Sequence, residues 1–181
     1  MTTYISLLRG INVSGQKKVP MADLRDVYAS LGFDPVQTYI QSGNVLFQSE
    51  ETDLVLLREQ LEEAIRQFFG FEVVVILRTV DALQQQVKHP FFVLRSETIK
   101  ALYVTFLAEM PDPKRIAELV SPNPEGDEFQ IVDKAVHLYC PNGYGRTKLS
   151  NTFFERKLKV SATTRNAKTI HKLLELAANF S

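Results

Sequence analysis

Three glycine-punctuated stretches of this chain gather the residue types that hold anions. The first, Gly10 Ile11 Asn12 Val13 Ser14 Gly15 Gln16 Lys17 Lys18, lies between an apolar run and a helical pattern, directly after Arg9. Its two glycines have the gap of a phosphate-binding P-loop, but that motif needs Lys directly after the second Gly, then Ser or Thr for magnesium. Here Gln16 intervenes and Lys18 follows Lys17, so a Walker-type site is not expected. A looser anion site, built from backbone N–H groups and the two lysines, stays open. The second stretch is Asn142 Gly143 Tyr144 Gly145 Arg146 Thr147 Lys148 Leu149 Ser150 Asn151. Glycines let backbone approach a ligand, Arg146 can grip a phosphate or carboxylate bidentately, and the helix that follows offers N–H groups. A glycine turn with solvated charges reads the same residues equally well. The third, Tyr39 Ile40 Gln41 Ser42 Gly43 Asn44, places the amides of Gln41 and Asn44 at a hairpin tip, where Asn is usually structural.

Enzyme constellations are mostly missing from the sequence. There is no Gly-x-Ser-x-Gly elbow, His89, His137 and His171 stand apart, and no His/Cys/carboxylate spacing suits a metal, so neither metal nor cofactor is expected. Cys140 shares an alternation with Val136 and Leu138, which reads as a buried structural thiol rather than a nucleophile. His137 falls on the opposite face beside Tyr139, where it can titrate but has no visible partner.

The elements that must position these loops repeat. Residues 3 to 9 read as an apolar strand; Leu24, Val27, Tyr28 and Leu31 mark one helix face, ended by Gly32. A hairpin follows over Val36 to Gln41 and Val45 to Phe47, with Ser42 Gly43 Asn44 as its connection. Thr52 or Asp53 caps a helix with apolar Leu54, Leu57, Leu61, Ala64, Ile65 and Phe68, and Val73 to Leu77 is an unbroken strand buried on both faces. A further helix spans Val80 to Val87. The order then begins again: strand Tyr103 to Leu107, a helix capped by Asp112, a break at Ser121 to Gly126, and a hairpin turning near Asp133 Lys134. A helix at Leu149 to Leu158, a strand at Val160 to Thr164 and a last helix through Ile170, Leu173, Leu174 and Ala177 complete it. Each final strand ends in an arginine before a helix, Arg78 and Arg165. The expected fold is α+β, a tandem duplication of ferredoxin-like βαββαβ (split βαβ) units, each followed by an extra helix, with subdomains at 1–92 and 97–181. The alternative is one mixed sheet without a repeat. Ferredoxin-like folds include an RNA-recognition module, which needs exposed aromatics on its two central strands, but Ile5 to Leu8 and Asn44 to Phe47 do not match its RNP patterns.

Composition bounds the partners. With 181 residues, 45% hydrophobic and 23% charged, the chain can bury a core. One cysteine agrees with a reducing, cytoplasmic compartment, and the opening residues lack a basic leader and meet Arg9 too soon for a membrane span. Net charge is zero, which argues against coating nucleic acid by bulk charge, yet Pro141 to Leu174 carries eight Lys/Arg against Glu155 alone, a net of +7.

Taken with Leu8 Arg9 Gly10 Ile11 Asn12 Val13, the second and third stretches and Thr163 Thr164 Arg165 Asn166, the whole chain resembles the bacterial family known only as domain of unknown function 1697. The resemblance implies an intracellular α+β protein of unassigned activity and supplies no catalytic residues.

The leading expectation is binding of a phosphate-bearing ligand, nucleotide or nucleic acid, through Arg9, Asn12, Lys17, Lys18, Arg146, Lys148 and Arg165, with Gln41, Asn44 and Tyr144 adding polar contacts. Two alternatives stay open. One is an enzyme acting on a small anionic metabolite, with His137 or Tyr144 in proton transfer. The other is a homodimeric interaction module. The ligand readings require the loops at 10–18, 41–44 and 142–150 to converge on one positively charged cleft.

Overall fold

A computed structural model describes residues 1–122 and 126–180. The expected break at Ser121 to Gly126 therefore falls partly outside the described residues. The first βαββαβ set is β1 (Thr2–Leu8), α1 (Met21–Ser30), β2 (Val36–Tyr39), β3 (Asn44–Ser49), α2 (Leu54–Phe69) and β4 (Val75–Thr79). After α3 (Val80–Lys88), the short α4 (Pro90–Val93) and a 3-10 turn at Ser96–Ala101 comes the second set. It comprises β5 (Leu102–Leu107), α5 (Pro113–Ala117), β6 (Glu128–Val132), β7 (Ala135–Tyr139), α6 (Asn151–Leu158) and β8 (Ala162–Asn166), and α7 (Ala167–Ala178) follows. Each set forms a four-stranded antiparallel sheet, in the orders β2-β3-β1-β4 and β6-β7-β5-β8. The tandem split βαβ arrangement is thus present, and the single mixed sheet is not.

Register makes the repeat specific. Ile5 pairs with both Leu46 and Arg78, and Leu46 pairs in turn with Gln37. In the second sheet Val104 pairs with both His137 and Arg165, and His137 with Gln130. The row Gln37–Leu46–Ile5–Arg78 therefore recurs as Gln130–His137–Val104–Arg165, with glutamine on one outer strand and arginine on the other. Both arginines donate from Nη1 to the carbonyl of the residue before them, at 2.8 and 3.0 Å. Burial pulls both guanidinium groups down to about 10.

By packing, the chain forms two units: Met1–Ala82 together with the residues from Leu173 on, and Leu83–Lys172. The core of the first unit lies between one sheet face and the apolar stripes of α1 and α2. Leu24, Val27, Tyr28, Leu57, Leu61 and Ile65 meet Tyr4, Leu8, Val45, Phe47, Val75 and Leu77. The serine on that face, Ser6, is accommodated by a 2.6 Å hydrogen bond with the Tyr28 hydroxyl, because a buried hydroxyl left alone costs free energy. In the second unit Leu107, Val136, Leu138, Cys140, Leu149, Phe154 and Leu158 form the corresponding core. Glu62 Oε1 accepts from Val75 N at 2.9 Å, satisfying a backbone donor on the outer strand β4 that would otherwise invite another chain.

Caps follow the sequence rules. Asp53 accepts from Val55 N and Leu56 N, Asp112 from Lys114 N, and Gly70 ends α2 in the left-handed conformation at φ 81°. Asp53→Ala is expected to lower stability by about 1 kcal/mol, read from urea unfolding; no change would mean that Thr52 or Glu51 takes over the cap.

Candidate functional site

The first and third glycine stretches meet, and they meet to build structure. Asn12 Nδ2 donates to the carbonyls of Val19 and Gln41 at 2.9 and 2.8 Å, and its Oδ1 accepts from Val19 N at 2.8 Å. The loop's own amides turn inward: Asn12 N donates to Lys17 O and Gln16 N to Val13 O, each at 3.0 Å. These two N–H groups close the loop on itself and so do not contribute to an anion nest. Lys17 Nζ donates to Glu72 O at 2.7 Å, while Lys18 is exposed. Arg9 ends the β1 edge of this loop, its N–H donating to Val74 O at 3.0 Å. Asn44 is fully buried, with Nδ2 donating to Tyr39 O and Ser42 Oγ, whereas Gln41 is exposed. Asn12 and Asn44 thus serve as the mortar of two connections.

The second stretch is also knitted internally, but it leaves cations outside. Tyr144 OH accepts from Asn151 N at 3.2 Å and donates to Thr164 Oγ1 at 3.1 Å. Thr164 Oγ1 in turn donates to Asn151 Oδ1 at 2.6 Å. Thr147 Oγ1 donates to the buried Asp127 at 2.7 Å and accepts from Leu149 N. Ser150 caps α6 by accepting from Phe153 N at 3.2 Å. Two first-turn amides of α6 are therefore already engaged. Arg146 and Lys148 are exposed. Lys148 lines a groove of about 340 Å³ together with Ser150, Thr152, Phe153, Arg156 and Pro122. Arg156 was counted in the sequence only as part of the basic run. Its signal was available: Thr152 and Arg156 are four apart, so they share a flank of α6, with Lys148 just ahead of the cap.

Arg165 does not join these cations. It is 6% exposed, its Nη1 donating to Thr163 Oγ1 and Thr164 O within the sheet. His137 likewise has no exposed surface. Its ring sits 4.7 Å from that of His89, 5.1 Å from Phe92 and 5.7 Å from Phe91 by centroids, and Nε2 bonds to Gln86 Oε1 at 2.6 Å. With that oxygen accepting, the proton is on Nε2, and Nδ1 is left buried without a partner. Burial, and then the charge of His89, push its pKa down to about 4. Such a group is poorly placed to exchange protons with a substrate. Cys140 is buried and its thiol is pushed up to about 11 by burial, which makes it inert as a nucleophile.

A larger hollow of about 480 Å³ in the first unit is lined by Glu59, Glu62, Glu63, Arg66, Glu72, Val73 and Val74, an excess of acid that repels anions. Among the described residues no group of three or more His, Cys, Asp or Glu side chains is placed to hold a metal, and no helix is long and apolar enough to cross a membrane.

A family model described as a protein of unknown function (DUF1697) matches residues 1–137. The chain belongs to this family. No curated protein matches it. Among solved structures it is similar to the conserved bacterial protein SP0830 from Streptococcus pneumoniae, with 27% identity, 96% of this chain and 97% of that one covered, and a TM-score of 0.72. The DUF1697 match spans both glycine stretches of the first unit and ends at His137, ahead of the Lys148–Arg156 groove.

Proposed function

We propose that this DUF1697 chain binds a phosphate-bearing ligand, nucleotide or nucleic acid, in the groove lined by Lys148 and Arg156. The observation that supports the reading is one concavity with two cations and the hydroxyl residues Ser150 and Thr152 on its wall, inside the chain's basic quarter. Arginine matches phosphate geometry with paired donors, and lysine adds a mobile point charge. Pro122 and the edge of Phe153 supply apolar surface for the uncharged part of such a ligand. Arg146, exposed two residues before Lys148, extends the field. The single cysteine is buried, which suits a cytoplasmic setting.

Titration of a fluorescent adenine nucleotide and of a short oligonucleotide, each at low and at physiological salt, tests this. Binding should weaken about tenfold or more for Lys148→Ala with Arg156→Ala, since each charged hydrogen bond contributes on the order of 1.5–3 kcal/mol. The salt slope for the oligonucleotide should fall as well. Absence of binding by both probes at low salt, or equal binding by the double variant, would discard the reading.

A further inference from the structure

We propose that the tip formed by Val13–Lys18 and Ile40–Gln41 is a docking surface for a protein segment that is both aliphatic and acidic. The tip is cross-tied by hydrogen bonds and close packing. Asn12 ties Gln41 to Val19, Lys17 is held on Glu72 O, and Gly43 lies against Leu8 and Ile11 so closely that a Cβ there would stand 2.9 and 2.6 Å from their side chains. On this support the backbone holds four non-glycine residues in the left-handed region: Asn12 at φ 54°, Ser14 at 51°, Lys17 at 45° and Ile40 at 51°. Asparagine tolerates that region. A β-branched residue does not, because its Cβ substituents crowd the neighbouring carbonyl.

The strain at Ile40 does not serve the core. Its side chain is 45% exposed, and Val13, one residue from the Asn12–Gln41 bond as Ile40 is, is 58% exposed. Asparagine or glycine at position 40 would close the same hairpin connection with less strain. A strained backbone that presents an aliphatic side chain to water points outward, to something the side chain meets there. The chemistry around it indicates what. Lys18 is exposed at the tip, Lys17 keeps its charge and an exposed side chain although its Nζ donates to Glu72 O, and residues 9–19 and 36–44 contain neither Asp nor Glu, so the complementary surface is acidic. The tip carries no aromatic ring on which a nucleic-acid base would stack, which favours a protein partner.

The test is selection of a displayed library of random 12-residue peptides on the full chain, with counter-selection on a Val13→Ser, Ile40→Asn variant. Enriched peptides should combine acidic with aliphatic residues. A synthetic copy should bind the double variant, and separately a Lys18→Glu variant, about tenfold more weakly. Ile40→Asn alone should raise the unfolding midpoint by about 2–4 °C, because the strain is relieved while contact with the partner is lost. Peptides that are basic, or that bind both variants as well as the parent, overturn the proposal. So does a lower midpoint for Ile40→Asn, which would make Ile40 a packing residue. Binding of a thymidine 12-mer that disappears in the double variant would replace the protein partner with single-stranded nucleic acid.

Discussion

Acidification from pH 7.5 to 4 is expected to remove about 3 kcal/mol of stability through His137 alone. In the folded chain the imidazole is neutral down to about 4, against an ordinary value of 6.5, because the ring is buried, His89 lies beside it and its Nδ1 has no acceptor to receive a new N–H. In the unfolded chain it protonates normally. Between those two values the unfolded state binds more protons, so stability falls as pH falls, is intact above about 6.5 and is lost in full below about 4. Urea midpoints at pH 7.5, 5.5 and 4.5 should therefore drop faster for the parent than for His137→Gln, whose amide can still donate to Gln86 but does not titrate. Parallel pH curves for the two proteins would show that His137 relaxes into water or finds an acceptor when protonated, and would remove the argument.

Replacing Gly43 by alanine is expected to lower stability by about 3 kcal/mol or more, a fall of about 6–12 °C in the unfolding midpoint. Two costs add. The residue sits at φ 82°, where a side chain is strained, and the new methyl would stand 2.9 Å from Leu8 Cβ, an atom fixed by the central strand β1. Ile11 Cδ1, at 2.6 Å, can rotate away; Leu8 Cβ cannot. Gly10 provides the control, since it has φ 69° and nothing within 4 Å of a built Cβ. Gly10→Ala should carry the backbone cost alone. Equal effects at the two positions would mean that the approach to Leu8 is not what demands glycine.

Much of the architecture was legible because it rests on local rules. The stripe of Leu57, Leu61 and Ile65, the cap at Asp53, the Ser42 Gly43 Asn44 connection and the matched arginines Arg78 and Arg165 all carry their meaning within a few residues. The helix at Pro90–Val93 and the 3-10 turn at Ser96–Ala101 were not read, since one turn is too short to display a period. The candidate site was less legible, for a different reason. A cation's availability is decided by groups remote in the chain. Lys17 donates to a carbonyl 55 residues away, and Arg165 is taken inside by covering of its sheet face, which strand alternation does not report. Conversely, Arg156 looked like one charge in a solvated run, and only the groove beside Phe153 distinguishes it from Lys157. The amide of Asn12 suits a ligand as well as a loop, and in the fold it bonds Gln41 to Val19.

The assignment of the residues from Leu173 onward to the first unit bears on how the protein is made. A ribosome delivers Met1–Ala82 early, yet the last part of that body emerges only after the whole of the other has been synthesised. During that interval the nascent first half lacks a buried leucine, Leu173, and whatever accompanies it. Its final consolidation thus waits on translation of some ninety intervening residues, Leu83–Lys172, rather than on its own folding speed.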